Sequence, residues 1–248
     1  MKTVKDTLLQ RRSVRRYERE PLTDEQIEFI REAISNTPTS YNGQQFSVIE
    51  VSDQDTKLRL FELTNQKQIK TCARFYVFCA DYHKITVGAK IRNIEMPDFC
   101  HTVDGIMVGT IDAAMAMMSA LVAAESMGLG TCCIGYTRTA APREISELLQ
   151  LPDRVMVVCG LAVGVPREEP DLKPKQPDGL VFHENYYNGD NLAADIDAYD
   201  TAIQEYNRTR AGEKTDNDWI DHIIGYYREA MKYRMLEALE HRGFAPER

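Results

Sequence analysis

The chain has no Cys-x-x-Cys pair and no cysteine/histidine spacing suited to a metal, although six of its 248 residues are cysteine. That excludes a structural metal module. Cys79 and Cys159 lie inside the apolar runs "FYVFCAD" and "VMVVCGLAVG". With Cys72 and Cys100 they read as free core thiols of a reducing compartment, so the expected location is the cytoplasm. Cys132 and Cys133 are adjacent, a spacing at which disulfides are rare, and no resolving partner lies nearby. No Ser/His/Asp set or paired carboxylate stands out. His83, His101, His183, His222 and His241 are scattered, so no side chain is expected to be the catalytic group.

Positive charge is scarce as well. Thirty Lys and Arg stand against 38 Asp and Glu, for a formal net charge of -8 and a pI near 5.3. A general nucleic-acid or anionic-membrane surface needs diffuse positive charge, so neither partner is expected. The opening lacks the continuous apolar stretch of a leader peptide. The longest apolar segment, "GIMVGTIDAAMAMMSALVAAESMG", is interrupted by Asp112 and Glu125 and reads as a buried helix.

Against that acidic background, "LLQRRSVRRY" places four arginines within six residues. Such a run could be a solvated face, a nucleic-acid or targeting patch, or a pocket for something small and strongly negative. A second polar segment, "NTPTSYNGQQFSV", lies between a helix and a strand and offers hydroxyls and amides on a flexible backbone. Arginine forks with Ser13 suit a phosphate. Hydroxyls and amides suit a polyol chain or a heterocycle edge. Together the three requirements describe flavin mononucleotide (FMN).

The element pattern is mixed. "PLTDEQIEFIREAISN" predicts a helix with Thr23 as N-cap and Ile27, Ile30 and Ile34 on one face. Strands are expected at Phe46–Ser52, "ARFYVFCAD", "TCCIG" and "VMVVCGLAVG", and helices over "DTKLRLFELTNQ", over residues 110–127 ending at Gly128, and over "APREISELLQL". Pro166, Pro170, Pro174 and Pro177 mark an extended crossing, followed by helices at about 191–205 and 216–242. An α+β domain over 1–190 and a helical extension over 191–248 are the expected division.

These segments resemble, in order, the motifs of the FMN-dependent nitroreductase superfamily, in its branch of NADPH-preferring nitroreductases and flavin reductases. The stretches that carry the likeness are "RRSVRRY", "NTPTSYNGQQFSVIEV", "NQKQIKTCARFYVFCAD", "AAESMGLGTCCIGYTR" and "LLQLPDRVMVVCGLAVGVPREEPDLKPKQP". The resemblance implies a nitroreductase fold: a central, mostly antiparallel sheet flanked by helices, with a C-terminal helical extension packed on its own domain or on the partner subunit. It implies a homodimer with FMN at the subunit interface. Arg11, Arg12 and Ser13 would hold the phosphate, with Arg11 standing where histidine is common. Arg15 would face the N1/O2 edge of the ring, where positive charge stabilises the charge that develops on reduction. Thr39 and Ser40 would serve the ribityl chain or ring edge, and Gln44 and Gln66 the ribityl and pyrimidine parts. Cys133, Ile134, Gly135 and Tyr136 would bring backbone N–H groups to the ring, and Lys173 and Lys175 would return to the phosphate.

The implied activity is ping-pong reduction of nitroaromatic, quinone or flavin acceptors by NADH or NADPH. Alternatives are a dedicated FMN reductase feeding a monooxygenase, or a flavin-binding protein without turnover. Arg208 and Arg210, in the basic loop "YNRTRAGEKTD", are candidates for the 2′-phosphate of NADPH. Residues 83–109 are the segment expected to tune acceptor choice.

Overall fold

The computed structural model describes residues 1–244, which form two compact units. One comprises Met1–Glu169 together with the segment from Arg234, the other Pro170–Tyr233.

The first unit is built on four strands, β1 (Phe46–Val51), β2 (Arg74–Asp81), β3 (Gly130–Ile134) and β4 (Val155–Gly164). They run in the order β1-β2-β4-β3, and every neighbouring pair is antiparallel. Around the sheet lie α1 (Val4–Gln10), α2 (Asp24–Ser35), α3 (Gln54–Thr64), α4 (Lys67–Thr71), α5 (His83–Ile91), α6 (Val103–Ser126), α7 (Tyr136–Thr139) and α8 (Pro142–Leu148). The second unit carries α9 (Asp178–Val181), α10 (Leu192–Thr209) and α11 (Trp219–Ala230), and α12 (Met235–His241) belongs again to the first.

β2 shows why its sequence is an unbroken apolar run. Tyr76, Phe78 and Ala80 enter one core with residues of α2 and α6, while Phe75, Val77 and Cys79 enter a second with residues of α3 and α8. All six are fully buried. A strand covered on both faces has no solvent side on which to alternate. Burial also pushes the thiols of Cys72 and Cys79 up to about 12, so these two are inert core groups.

α2 starts as its sequence predicts. Thr23 and Gln26 form a reciprocal capping box, and Ile27, Ile30 and Ile34 are buried. α6 starts earlier than expected, at Val103, because the Thr102 hydroxyl caps the Gly105 N–H at 2.9 Å. It ends before Gly128, whose φ of 84 reverses the chain. By length and composition α6 could cross a membrane, but here it is the central helix, with Asp112 and Glu125 buried and hydrogen-bonded.

The expected helix over 216–242 is two helices. α11 begins one residue after Asp218, whose carboxylate caps the Asp221 N–H at 2.8 Å, and it ends at Ala230. α12 then packs near α8, where the Arg242 guanidinium donates to the carbonyls of Leu151, Pro152 and Val155. No glycine or proline marks the break, where the N–H groups of Lys232 and Tyr233 close local turns onto Glu229 and Ala230. Within the second unit, Asp200 accepts from the backbone N–H groups of Trp219 and Ile220, both at 3.1 Å, fixing the turn between α10 and α11.

Glu50 on β1 ties two elements together, accepting from Arg31 of α2 at 2.6 Å and from Arg74 of β2 at 2.7 Å. Burial by itself would raise its pKa, but the hydrogen bonds from Arg31 and Arg74 outweigh it and hold the carboxyl below its usual range. The stabilisation is therefore present above the ordinary carboxylate pKa and lost as pH falls through the lowered value. Glu50→Gln should lower the melting temperature at neutral pH, with the difference from wild type closing in strong acid, as followed by circular dichroism across a pH series.

Candidate functional site

The arginine run is an extended strap fastened to the sheet. After α1 ends, Ser13 bridges Thr131 of the edge strand β3, and the Val14 N–H donates to the Thr131 carbonyl at 2.8 Å. Further along, Tyr17 bridges Pro166 and the Glu18 N–H donates to Val165 at 2.9 Å. Val14 and Tyr17 face inward and are buried, and the Tyr17 hydroxyl donates to the Val14 carbonyl at 2.7 Å. Gly130 and Gly164, register partners on β3 and β4, make this approach possible. A Cβ on Gly130 would lie 2.9 Å from Val14, and one on Gly164 would lie 2.9 Å from Tyr17.

With the apolar residues turned inward, the arginines gather on the other side. Arg11 Nη2 donates to Ser13 Oγ at 3.4 Å, and Arg12 Nη1 pairs with Glu169 at 2.7 Å. Four buried side-chain polar atoms among the described residues lack a hydrogen-bond partner, and Arg11 Nε and Arg12 Nε are two of them. Buried donors are almost always satisfied, so this pair marks a position prepared for an acceptor. Glu168 holds the strap's backbone, accepting from the N–H groups of Arg15 at 2.7 Å and Arg16 at 3.1 Å. Behind it, the Thr131 hydroxyl donates to buried Glu125 at 2.6 Å. Burial raises the Glu125 pKa, opposed by the hydrogen bond from Thr131 and the nearby charges of Arg11, Lys2 and Arg12. Sequence alone does not mark Glu125 or Glu168 as site residues, and Glu125 stands out there only as an interruption of an apolar run.

β3 delivers the next group. Cys132 points into the core, where burial raises its thiol pKa, while Cys133 is exposed. Ile134 is buried, and the chain turns at Gly135 into α7, which Tyr136 begins. Gly135 has φ -67, a conformation open to any residue, and a Cβ there would meet nothing within 4 Å. The space beside this backbone is open, as close approach by a flat group requires. Gln66, the N-cap residue of α4, joins the same region. Its Oε1 accepts from Gln68 Nε2 at 2.9 Å, and that nitrogen lies 4.0 Å from Cys132 Sγ.

The second polar segment sits elsewhere. Asp112 of α6, fully buried, accepts from the N–H of Ser40 at 3.0 Å and of Gln45 at 3.2 Å. Thr39 Oγ1 accepts from the Gln44 N–H at 3.2 Å, and Tyr41, Asn42 and Gln44 all have positive φ. Gln44 is exposed, while neighbouring Gln45 is buried with its Oε1 unpartnered. Asp112 and Glu125 are thirteen residues apart on one helix, about 20 Å along its axis. The 39–45 loop thus meets α6 near its middle, at Asp112, and the arginine strap lies toward its C-terminal end, near Glu125.

Lys173, Lys175, Arg208 and Arg210 belong to the second unit. There Arg208 Nε pairs with Asp216 at 2.6 Å, and Arg210 Nε donates to the Glu213 carbonyl. No cluster of three or more His, Cys, Asp or Glu fit to hold a metal occurs among the described residues.

Residues 8–165 match the Nitroreductase family, and residues 173–247 match the Nitroreductase family, C-terminal domain. This chain belongs to the nitroreductase family. It is 38% identical over 250 residues to an FMN reductase [NAD(P)H] of Bacillus subtilis, covering 100% of both chains. It is 36% identical to an oxygen-insensitive NADPH nitroreductase of Salmonella typhimurium, covering 94% of this chain and 95% of the other. Among solved structures, NfrA2 of B. megaterium superimposes with a TM-score of 0.94 at 35% identity over 100% of both chains. The first family span contains the strap, the β3 turn and the 39–45 loop. The second contains both lysines and the basic loop at 208–210.

The loop's dependence on α6 can be measured. Asp112→Ala would leave two loop N–H groups without their charged acceptor, at about 1.5–3 kcal/mol for each hydrogen bond to a charged group. The denaturation midpoint should fall accordingly, and the Ser40 and Gln45 amides should lose protection from hydrogen exchange.

Proposed function

We propose that the protein is an FMN-dependent NAD(P)H oxidoreductase that reduces small-molecule acceptors (nitroaromatics, quinones or free flavin). The observation that carries this reading is the pair of buried, unpartnered Nε groups of Arg11 and Arg12 on a strap fixed to the strand that ends at open Gly135. The full-length relatives, an FMN reductase and an NADPH nitroreductase, support it.

These residues fit FMN. Arg11, Arg12 and Ser13 would take the phosphate, which displaces the 84% exposed Glu169 carboxylate from Arg12 and leaves Glu125 as a buried countercharge behind the strap. Arg15 would supply positive charge to the N1/O2 edge, and the backbone from Cys133 to Tyr136 would line the ring. Gln66 would serve the pyrimidine side. Bound FMN supplies the two-electron redox chemistry, used in turn by donor and acceptor in a ping-pong cycle.

The loop of Thr39, Ser40 and Gln44 is pinned to the middle of α6 at Asp112, about 20 Å along the helix from Glu125 behind the strap of the same chain. A homodimer in which the loop of one copy completes the strap of the other accounts for both halves. The outer face of α6 supports this arrangement. Val103, Met107, Ile111, Met115 and Met118 form an exposed apolar stripe, between 38% and 57% accessible. Six free thiols accord with a cytoplasmic location.

Two experiments test these statements. The purified protein should be yellow and bleach anaerobically with NADH or NADPH, and Arg11→Ala with Arg12→Ala should release the flavin. A colourless protein that takes up no added FMN would sink the reading. Separately, Ile111→Arg with Met115→Arg should halve the mass seen by light scattering and lower FMN content together. A monomeric variant that keeps full FMN content would refute the shared site.

A further inference from the structure

A cavity of about 1080 Å³ lies beside the flavin region of the first unit, and its wall is basic although the chain is acidic. Seven of its lining residues are Lys or Arg, against two carboxylates, Glu18 and Glu20. The cations come from three places: the strap, α3 with α4, and the segment after β4. Backbone hydrogen bonds fix the first to the last, with the Arg167 N–H donating to the Arg16 carbonyl at 3.0 Å.

Some of this charge is already engaged. Arg16 faces Glu168 at 3.6 Å, and Lys70 sits 3.7 Å from the Phe61 ring centroid. Among the described residues, the side chains of Arg19, Lys67 and Arg167 have no hydrogen bond or ion pair. Deeper in the wall, Lys57 is only 5% exposed, and its Nζ donates to the neutral carbonyl of Cys72 at 2.8 Å. No carboxylate lies within ion-pairing distance of Lys57 among the described residues, and Asp53, which feels its field, is occupied as the α3 N-cap with Thr56. A buried ammonium without a counter-ion is costly, and that cost falls if an anion enters the cavity.

We propose that this cavity binds the phosphate monoester of a substrate that reacts at the neighbouring flavin. This rests on the function proposed above. A phosphate monoester carries about -1.5 to -2 charges at neutral pH, which matches several convergent, unpaired cations better than a carboxylate would. Arginine forks reach it in bidentate fashion, and lysines act on it as point charges. Arg15 lines the cavity and is the residue assigned to the ring edge, and Gln68 lines it while bonded to Gln66. A substrate anchored here would therefore extend toward the reacting centre. Two substrates of the reaction carry such a group, NADPH at its 2′ position and free FMN at the end of its ribityl chain. NADH and riboflavin lack it.

The test uses the FMN-loaded protein and the variant Arg19→Ala, Lys67→Ala, Arg167→Ala, whose side chains lie outside the flavin site. NADH with riboflavin is the baseline reaction, and it should be unchanged along with FMN content. Relative to that baseline, kcat/KM should fall about tenfold or more for NADPH against NADH, which assigns the donor, or for FMN against riboflavin, which assigns the acceptor. If both ratios stay at their wild-type values while the baseline holds, the proposal is overturned. Calorimetry with 2′-AMP as the phosphate-monoester probe, and adenosine as control, provides a readout independent of turnover. Saturable binding of 2′-AMP that the variant loses supports the site, and binding no better than adenosine refutes it. Should the triple variant fail to fold, Lys67→Glu alone at an exposed position makes the same comparisons. An absent baseline reaction in the wild type would instead count against the oxidoreductase reading, leaving the 2′-AMP titration to decide the cavity.

Discussion

Two carboxylates buried in one helix organise this protein. Asp112 and Glu125 both lie inside α6, and a charge can be buried only where hydrogen bonds or countercharges replace water. Each therefore draws a polar segment onto the helix. Asp112 receives the backbone of the 39–45 loop, while Glu125 receives Thr131, to which the arginine strap is bridged. The same helix supplies much of the apolar packing beneath the sheet. Stability and site geometry thus share one element.

The charge distribution follows a similar logic. A chain of net charge -8 holds its arginines in place with specific acidic partners instead of dispersing them. Glu168 fixes the backbone of the strap, Glu169 occupies one face of Arg12, and Glu125 stands behind. What remains without a partner among the described residues is the buried Nε of Arg11 and of Arg12 and, on the wall of the basic cavity, the side chains of Arg19, Lys67 and Arg167. An overall negative field with local positive wells concentrates small anions at those wells while disfavouring extended polyanions.

The length of α6 also bears on assembly. About 20 Å of helix separates Asp112 from Glu125, while an apolar stripe from Val103 to Met118 runs along its outer face. A helix that is polar at its two anchor points and apolar on the outside has more surface than one copy covers. The proposed dimer joins the loop on one helix to the strap beside the other, which makes cofactor binding and assembly interdependent.

The strands, the start of α2 and the end of α6 were legible in the sequence, because their causes are local. β2 and β4 are apolar on both faces, Thr23 and Gln26 stand at capping-box spacing, and Gly128 turns the chain after α6. The family motifs likewise marked both polar segments and the β3 turn. Other features depend on residues distant in sequence. That Gln45 is buried while Gln44 is exposed depends on the positive-φ turns of a loop pinned by Asp112, dozens of residues downstream. Gly130 and Gly164 matter only because β3 and β4 pair in a register that puts both beneath the strap. The seat of α12 depends on carbonyls that its C-cap residue Arg242 meets far away in sequence. Local propensity and hydrophobic periodicity determined which segments became strands and helices and which groups were available for phosphate and ring. Which buried charge each polar segment satisfies, and which arginines are left unpaired, was decided by tertiary structure, because desolvation acts on what surrounds a group in space and not on its neighbours along the chain.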